Sequence, residues 1–118
     1  MPDVELSTDL VITQIAKRDP LINGPHVFAR FGSEFINTIQ YCHDNAKIID
    51  FPFLIMQSNQ DNIIDCEGGK EFIKKISTPN ENKKYITCRG YHEILFDVDR
   101  DMLIECIKDF LQQHQVNE

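Results

Sequence analysis

No apolar run in this 118-residue sequence approaches the roughly 20 residues that a membrane-spanning helix needs. Nor does its first stretch, MPDVELSTDL, carry the basic and apolar regions of a secretory signal, so the expected location is cytoplasmic. Positive charge is in short supply: 12 Lys and Arg stand against 19 Asp and Glu, a formal net charge of −7. That deficit argues against nucleic acid or an anionic membrane surface as a partner. The nearest basic group, Lys74-Lys75 with Lys83-Lys84, is only two doublets around a loop. The four cysteines (Cys42, Cys66, Cys88, Cys106) form no C-x-x-C and no zinc-type pairing with histidine. The expectation is reduced thiols, no metal and no cofactor, although an even number leaves disulfides open from spacing alone. Repeats and low-complexity segments are also missing. What remains is a globular make-up, 42% apolar and 26% charged, at a length suited to one core.

Residues 1–24 show no clean period, and RDPLINGP, with two prolines and a glycine, reads as a loop. Ser33 reads as the N-cap of a helix over about 34–45 that sets Phe35, Ile36, Ile39 and Cys42 on one face. A strand follows over about 53–57, with Pro52 at its start, where a missing N–H is tolerated. A helix over about 66–77 carries Phe72, Ile73 and Ile76 on one side and stops at Thr78-Pro79-Asn80. After a second strand over about 84–88 comes the clearest helix, about 100–114. Leu103, Ile104, Ile107, Phe110 and Leu111 make its stripe, with Asp97, Asp99 and Asp101 around its start. A strand–helix–strand unit of this size predicts an α/β fold with a right-handed parallel crossover. Two parallel strands and three helices are a meagre sheet, so the sequence reads as the end of a larger α/β domain.

The apolar run Phe51 to Met56 gives way at once to Gln57-Ser58-Asn59-Gln60-Asp61-Asn62. In a parallel sheet all strands deliver their carboxyl ends to one edge, where ligands bind. Asp61 follows the first strand, and His92, in CRGYHEI, follows the second. Topology therefore brings a carboxylate and an imidazole to the same edge. A carboxylate that accepts the Nδ1–H fixes the tautomer and leaves Nε2 to act as base and then acid. Each residue also has a plainer reading, Asp61 as a turn former and His92 as a solvated or structural side chain.

The segment Phe51 to Asp65, then CRGYHEI, then a final amphipathic helix resembles the C-terminal part of α/β-hydrolase-fold serine hydrolases. Within that fold it is most similar to the monoacylglycerol lipase/lysophospholipase group. FLIMQSNQDNIID matches the strand that leads to the triad Asp, with Ser58 where the family usually has Gly. Gly90-Tyr91-His92-Glu93-Ile94 suits the context of the triad His, and Asp19-Pro20-Leu21 resembles the end of that group's cap segment. The resemblance implies that residues 1–45 are the end of a cap and a return helix, and that 46–118 are the strand–helix–strand–helix end of the core. It implies Asp61 as orienting acid and His92 as general base. Ile63 and Ile64 would stand in the acyl-pocket wall, with ordinary packing as the alternative. The substrate it implies is a lipid or other acyl ester.

The family's nucleophile lies in G-x-S-x-G, and no such motif occurs in the sequence. Ser33 is read as a helix cap, Ser58 shares a strand end with Asp61, Ser7 has no nearby glycine, and Cys66 starts a helix. The expected chain is thus part of a serine ester hydrolase, inactive by itself and prone to self-association through its open sheet edge. A small non-enzymatic α/β binding module is the alternative from another class. Dehalogenase or C–C hydrolase chemistry on the same fold is a third.

Overall fold

The computed structural model describes residues 6–21 and 28–115. It is an α/β unit with two parallel strands and, among the described residues, four helices: α1 (Leu10–Arg18), α2 (Ala29–Asp44), β1 (Phe53–Ser58), α3 (Cys66–Lys75), β2 (Lys83–Cys88) and α4 (Arg100–Gln113). The strands pair in register from Phe53 opposite Lys83 to Ser58 opposite Cys88, and α3 forms the crossover between them. Both strands therefore run out at the same edge, as the sequence predicts.

α3 forms where the sequence places it. The Asp65 side chain accepts the Glu67 amide at 3.0 Å as N-cap, and Lys74 and Lys75 meet the negative end of the helix. Its inner face, Ile73 and Ile76, packs with Ala46 and with Phe53, Ile55, Phe72 and Tyr85 of the sheet and helix. Gly69 allows this close approach, since a Cβ there would lie 2.6 Å from Gln57 Oε1 and 3.2 Å from the Tyr85 ring. α4 is anchored by Leu103, fully buried, whereas Leu111, part of the expected stripe, is 60% exposed.

Two expectations fail at the N-terminal end. The stretch read as irregular contains α1, which Asp9 caps by accepting the Val11 amide at 2.8 Å. Val11, Ile12, Thr13 and Ile15 are β-branched and weak helix formers, which hid the helix, and its docking supplies what propensity lacks. Asp19 to Leu21 of the expected loop do leave the helix, while residues 22–25 of RDPLINGP lie outside the described residues. α2 starts at Ala29, so Ser33 is an interior helical residue and not its cap. Phe28 holds the N-cap position without a side-chain hydrogen bond, and the stacked rings of Phe31 and Phe35, 6.1 Å apart, extend the apolar face one turn earlier than expected. No helix among the described residues is long and apolar enough to cross a membrane. The four cysteines are free thiols.

Candidate active site

β1 ends in a tight polar turn built on Asp61. Its Oδ1 accepts the amides of Ile63, at 2.8 Å, and Ile64, at 3.0 Å. Its Oδ2 lies 2.9 Å from His92 Nδ1. The carboxyl group is 4% exposed and the imidazole 29%. Burial pushes the Asp61 carboxyl up, but the Ile64 amide, the imidazole and the Ile63 amide outweigh it and hold the carboxyl below the usual range. An ionised carboxylate has no proton to give, so in the neutral ring Nδ1 carries the hydrogen and Nε2 is left with its lone pair. The two residues that topology assigns to one edge therefore meet there.

Ile63 and Ile64 contribute through their backbones. The two residues are each 48% exposed. Glu93 and Phe96, just past His92, line an open and largely apolar groove of about 460 Å³ with Leu6, Ile12, Ile15 and Ala16. Neither Ile63 nor Ile64 lines that groove.

Other residues in this region do work that the sequence reading missed. Ser58, fully buried, donates its hydroxyl to the Gly90 carbonyl and accepts the Gln60 amide at 2.9 Å. Gln60 Oε1 in turn accepts the Gly90 amide at 3.3 Å. The end of β1 is thereby tied to the loop that carries His92. Gly90 has φ +102°, and a Cβ there would lie 2.4 Å from Asp97 Cγ. Asp97 was read as one of the acids around the start of α4, yet it points into the His92 loop. It accepts the Tyr91 amide at 2.9 Å, the Thr8 amide at 2.8 Å and the Thr8 hydroxyl. Burial pushes its carboxyl up, but the Thr8 hydroxyl and the amides of Tyr91, Thr8 and Val98 draw it down to about 2. The glycine two positions before His92 was the available signal for such a close approach. Asp99, the neighbouring acid, holds Arg89 at 2.6 Å on the surface, where an ion pair contributes little.

The family profile described as serine aminopeptidase, S33, a hydrolase family, matches residues 4–99. The chain belongs to this family. As a member of the serine aminopeptidase family it has the α/β-hydrolase fold, and solved structures agree. The crystal structure of the Paleococcus ferrophilus monoacylglycerol lipase is similar with a TM-score of 0.85 at 20% identity, over 98% of this chain and 44% of that one. A soluble variant of the Saccharomyces cerevisiae monoglyceride lipase, crystallised with a substrate analogue, is similar with a TM-score of 0.66 at 23% identity, over 98% of this chain and 42% of that one. This hydrolase-family chain thus spans less than half the length of either lipase and matches the C-terminal portion of their fold. No curated protein matches the chain.

Proposed function

We propose that the chain supplies the orienting acid, Asp61, and the general base, His92, of a serine hydrolase that cleaves acyl esters of glycerol lipids. The observation that carries this reading is the 2.9 Å contact between Asp61 Oδ2 and His92 Nδ1 at the carboxyl edge of parallel strands. In this reading Nε2 takes the proton of an attacking serine, the imidazolium is stabilised by Asp61, and the proton then passes to the leaving alcohol. The nucleophile and the oxyanion donors lie outside these 118 residues. Three of the four serines are committed elsewhere: the hydroxyls of Ser7, Ser58 and Ser77 donate to the carbonyls of Phe96, Gly90 and Lys47. Ser33 sits inside α2. Residues 1–45 serve as the end of a cap segment and 46–118 as the end of the catalytic core.

Two features favour a lipid ester, such as a monoacylglycerol or lysophospholipid, over a peptide. Both structures described above are named as lipases of monoglycerides. The groove that shares the His92 loop has a largely apolar lining, with Lys17, Asp19 and Glu93 also lining it, suited to an acyl chain.

The isolated chain is expected to hydrolyse short acyl esters no faster than its His92→Ala variant, and to take up no organophosphonate label. Specific labelling of Ser33 or Ser58 would contradict this. Joined to an upstream segment that carries G-x-S-x-G, the chain should hydrolyse monoacylglycerol faster than an aminoacyl anilide. His92→Ala or Asp61→Asn should then each lower kcat by about 10³-fold or more. An unchanged kcat in His92→Ala would remove the base assignment.

A further inference from the structure

Asp97 is buried, at 8% exposure. Burying a carboxylate is costly unless its oxygens are fully hydrogen-bonded, and here each oxygen receives two donors. Oδ2 takes the amides of Thr8 and Tyr91, and Oδ1 takes the Thr8 hydroxyl and the Val98 amide. Those donors come from two stretches of chain that are remote in sequence. Further bonds seal the same junction: the Glu93 amide donates to the Leu6 carbonyl at 2.8 Å, and the Ser7 hydroxyl donates to the Phe96 carbonyl at 2.6 Å. His92 lies between Tyr91 and Glu93, so both of its backbone neighbours are held by this junction. Nothing in the Asp61–His92 pair itself requires it.

We propose that Asp97 is a positioning residue for His92, fixing the Gly90–Tyr91 backbone against the Leu6–Thr8 segment so that the imidazole faces Asp61. Gly90 is the other half of the device. Its left-handed backbone turns the chain over the carboxyl group, and its missing Cβ leaves the space that Asp97 fills. The segment before α1 is thereby part of what aims the base, although it contributes no atom to the reaction. This proposal rests on the reading of His92 as the base.

The test is imidazole NMR on the full 118-residue chain, labelled at histidine nitrogens, at a pH where the ring is neutral. Wild type should show the Nδ1–H tautomer with a slowly exchanging Nδ1 proton, and Asp61→Ala should lose it. A wild-type chain without that signal would overturn the base reading itself. Given the signal, Asp97→Asn should lose the tautomer preference at temperatures where the chain is still folded. A lowered melting temperature with an unchanged His92 spectrum would show a merely structural role and overturn the proposal. Where Asp97→Asn does not fold, Thr8→Val removes one of the four donors, and Nδ1 proton exchange should rise by about 5-fold, the effect of weakening one anchor by roughly 1 kcal/mol. Unchanged exchange in Thr8→Val overturns the proposal equally. Ser77→Ala, which loses a hydrogen bond to the Lys47 carbonyl at 2.7 Å, should leave the His92 spectrum as it was.

Discussion

Asp61 shows how one side chain can satisfy two readings at once. Its Oδ1 closes the turn through two amides while its Oδ2 meets the imidazole, so the turn former and the orienting carboxylate are the same group. Asp97 and Gly90 form a second coupled unit. Gly90→Ala would force a Cβ to within 2.4 Å of Asp97 Cγ on a backbone with φ +102°, at a cost on the order of 1–3 kcal/mol. Truncating the carboxyl group removes the contact with Cγ and leaves only the one with Asp97 Cβ at 2.8 Å, so the cost of Gly90→Ala in an Asp97→Ala background should be smaller than in wild type. Urea unfolding of the four chains of this double-mutant cycle measures the difference. Asp97 also makes stability depend on acid. Its carboxyl titrates at about 2 in the folded chain against an ordinary 3.8, so the unfolded chain takes up the proton first as pH falls. The contribution, about 2 kcal/mol, is fully present above about pH 5 and is lost as the pH falls through about 2. The stability gap between wild type and Asp97→Asn should therefore narrow from about pH 5 towards about pH 2, as measured by urea midpoints.

The helices differ in how they are held. Leu103 is fully buried and anchors α4, so Leu103→Ala should cost about 2–5 kcal/mol, whereas Leu111→Ala, at a position 60% exposed, should stay within about 0.5 kcal/mol. Thermal or urea unfolding of the two variants gives the contrast. Strands and the crossover helix were legible because their signals are local: an apolar run, a one-sided stripe of Phe72, Ile73 and Ile76, a Thr78-Pro79 stop. The Asp61–His92 meeting was legible because parallel topology decides it. α1 was not, since its β-branched residues favour strand and only Asp9 marks its start. The start of α2 was missed because a serine is a common cap, and Phe31, which stacks on Phe35 one turn earlier, is not part of the stripe read from Phe35 onward. Asp97 was hidden for another reason. Three aspartates around the start of a helix have a sufficient explanation in the helix dipole, and only the tertiary contact with Gly90 separates one of them from the others.

At the scale of the whole molecule, surface is left over. The accessible area is 9181 Å² at a mass of 13.7 kDa, against roughly 6,600 Å² for a compact monomer of that mass. The radius of gyration is 16.6 Å, where a compact domain of this length has about 13.5 Å. An excess of this order exceeds the roughly 1,600 Å² of a standard protein interface. Much of it is apolar: Phe28, Phe31, Phe35, Ile36 and Ile39 on and before α2 are all exposed. Both strands are also edge strands, each with one row of backbone groups not paired within the sheet. We therefore expect the isolated chain to self-associate at micromolar concentration, as read by light scattering or sedimentation. A cooperatively melting monomer would instead show that the chain closes its own core.

The in-register pairing of β1 with β2 has a metric consequence. Ser58 faces Cys88 at the last rung, and Asp61 and His92 stand three and four residues beyond it. A slip of one residue would shift one strand by about 3.3 Å, as far as a hydrogen bond is long. The imidazole would then lie out of reach of the carboxylate, so the pair behaves as a vernier, reading out a single alignment of two strands. Any covering that deforms the ladder, whether another strand or another copy, has to preserve that alignment to within a fraction of a residue.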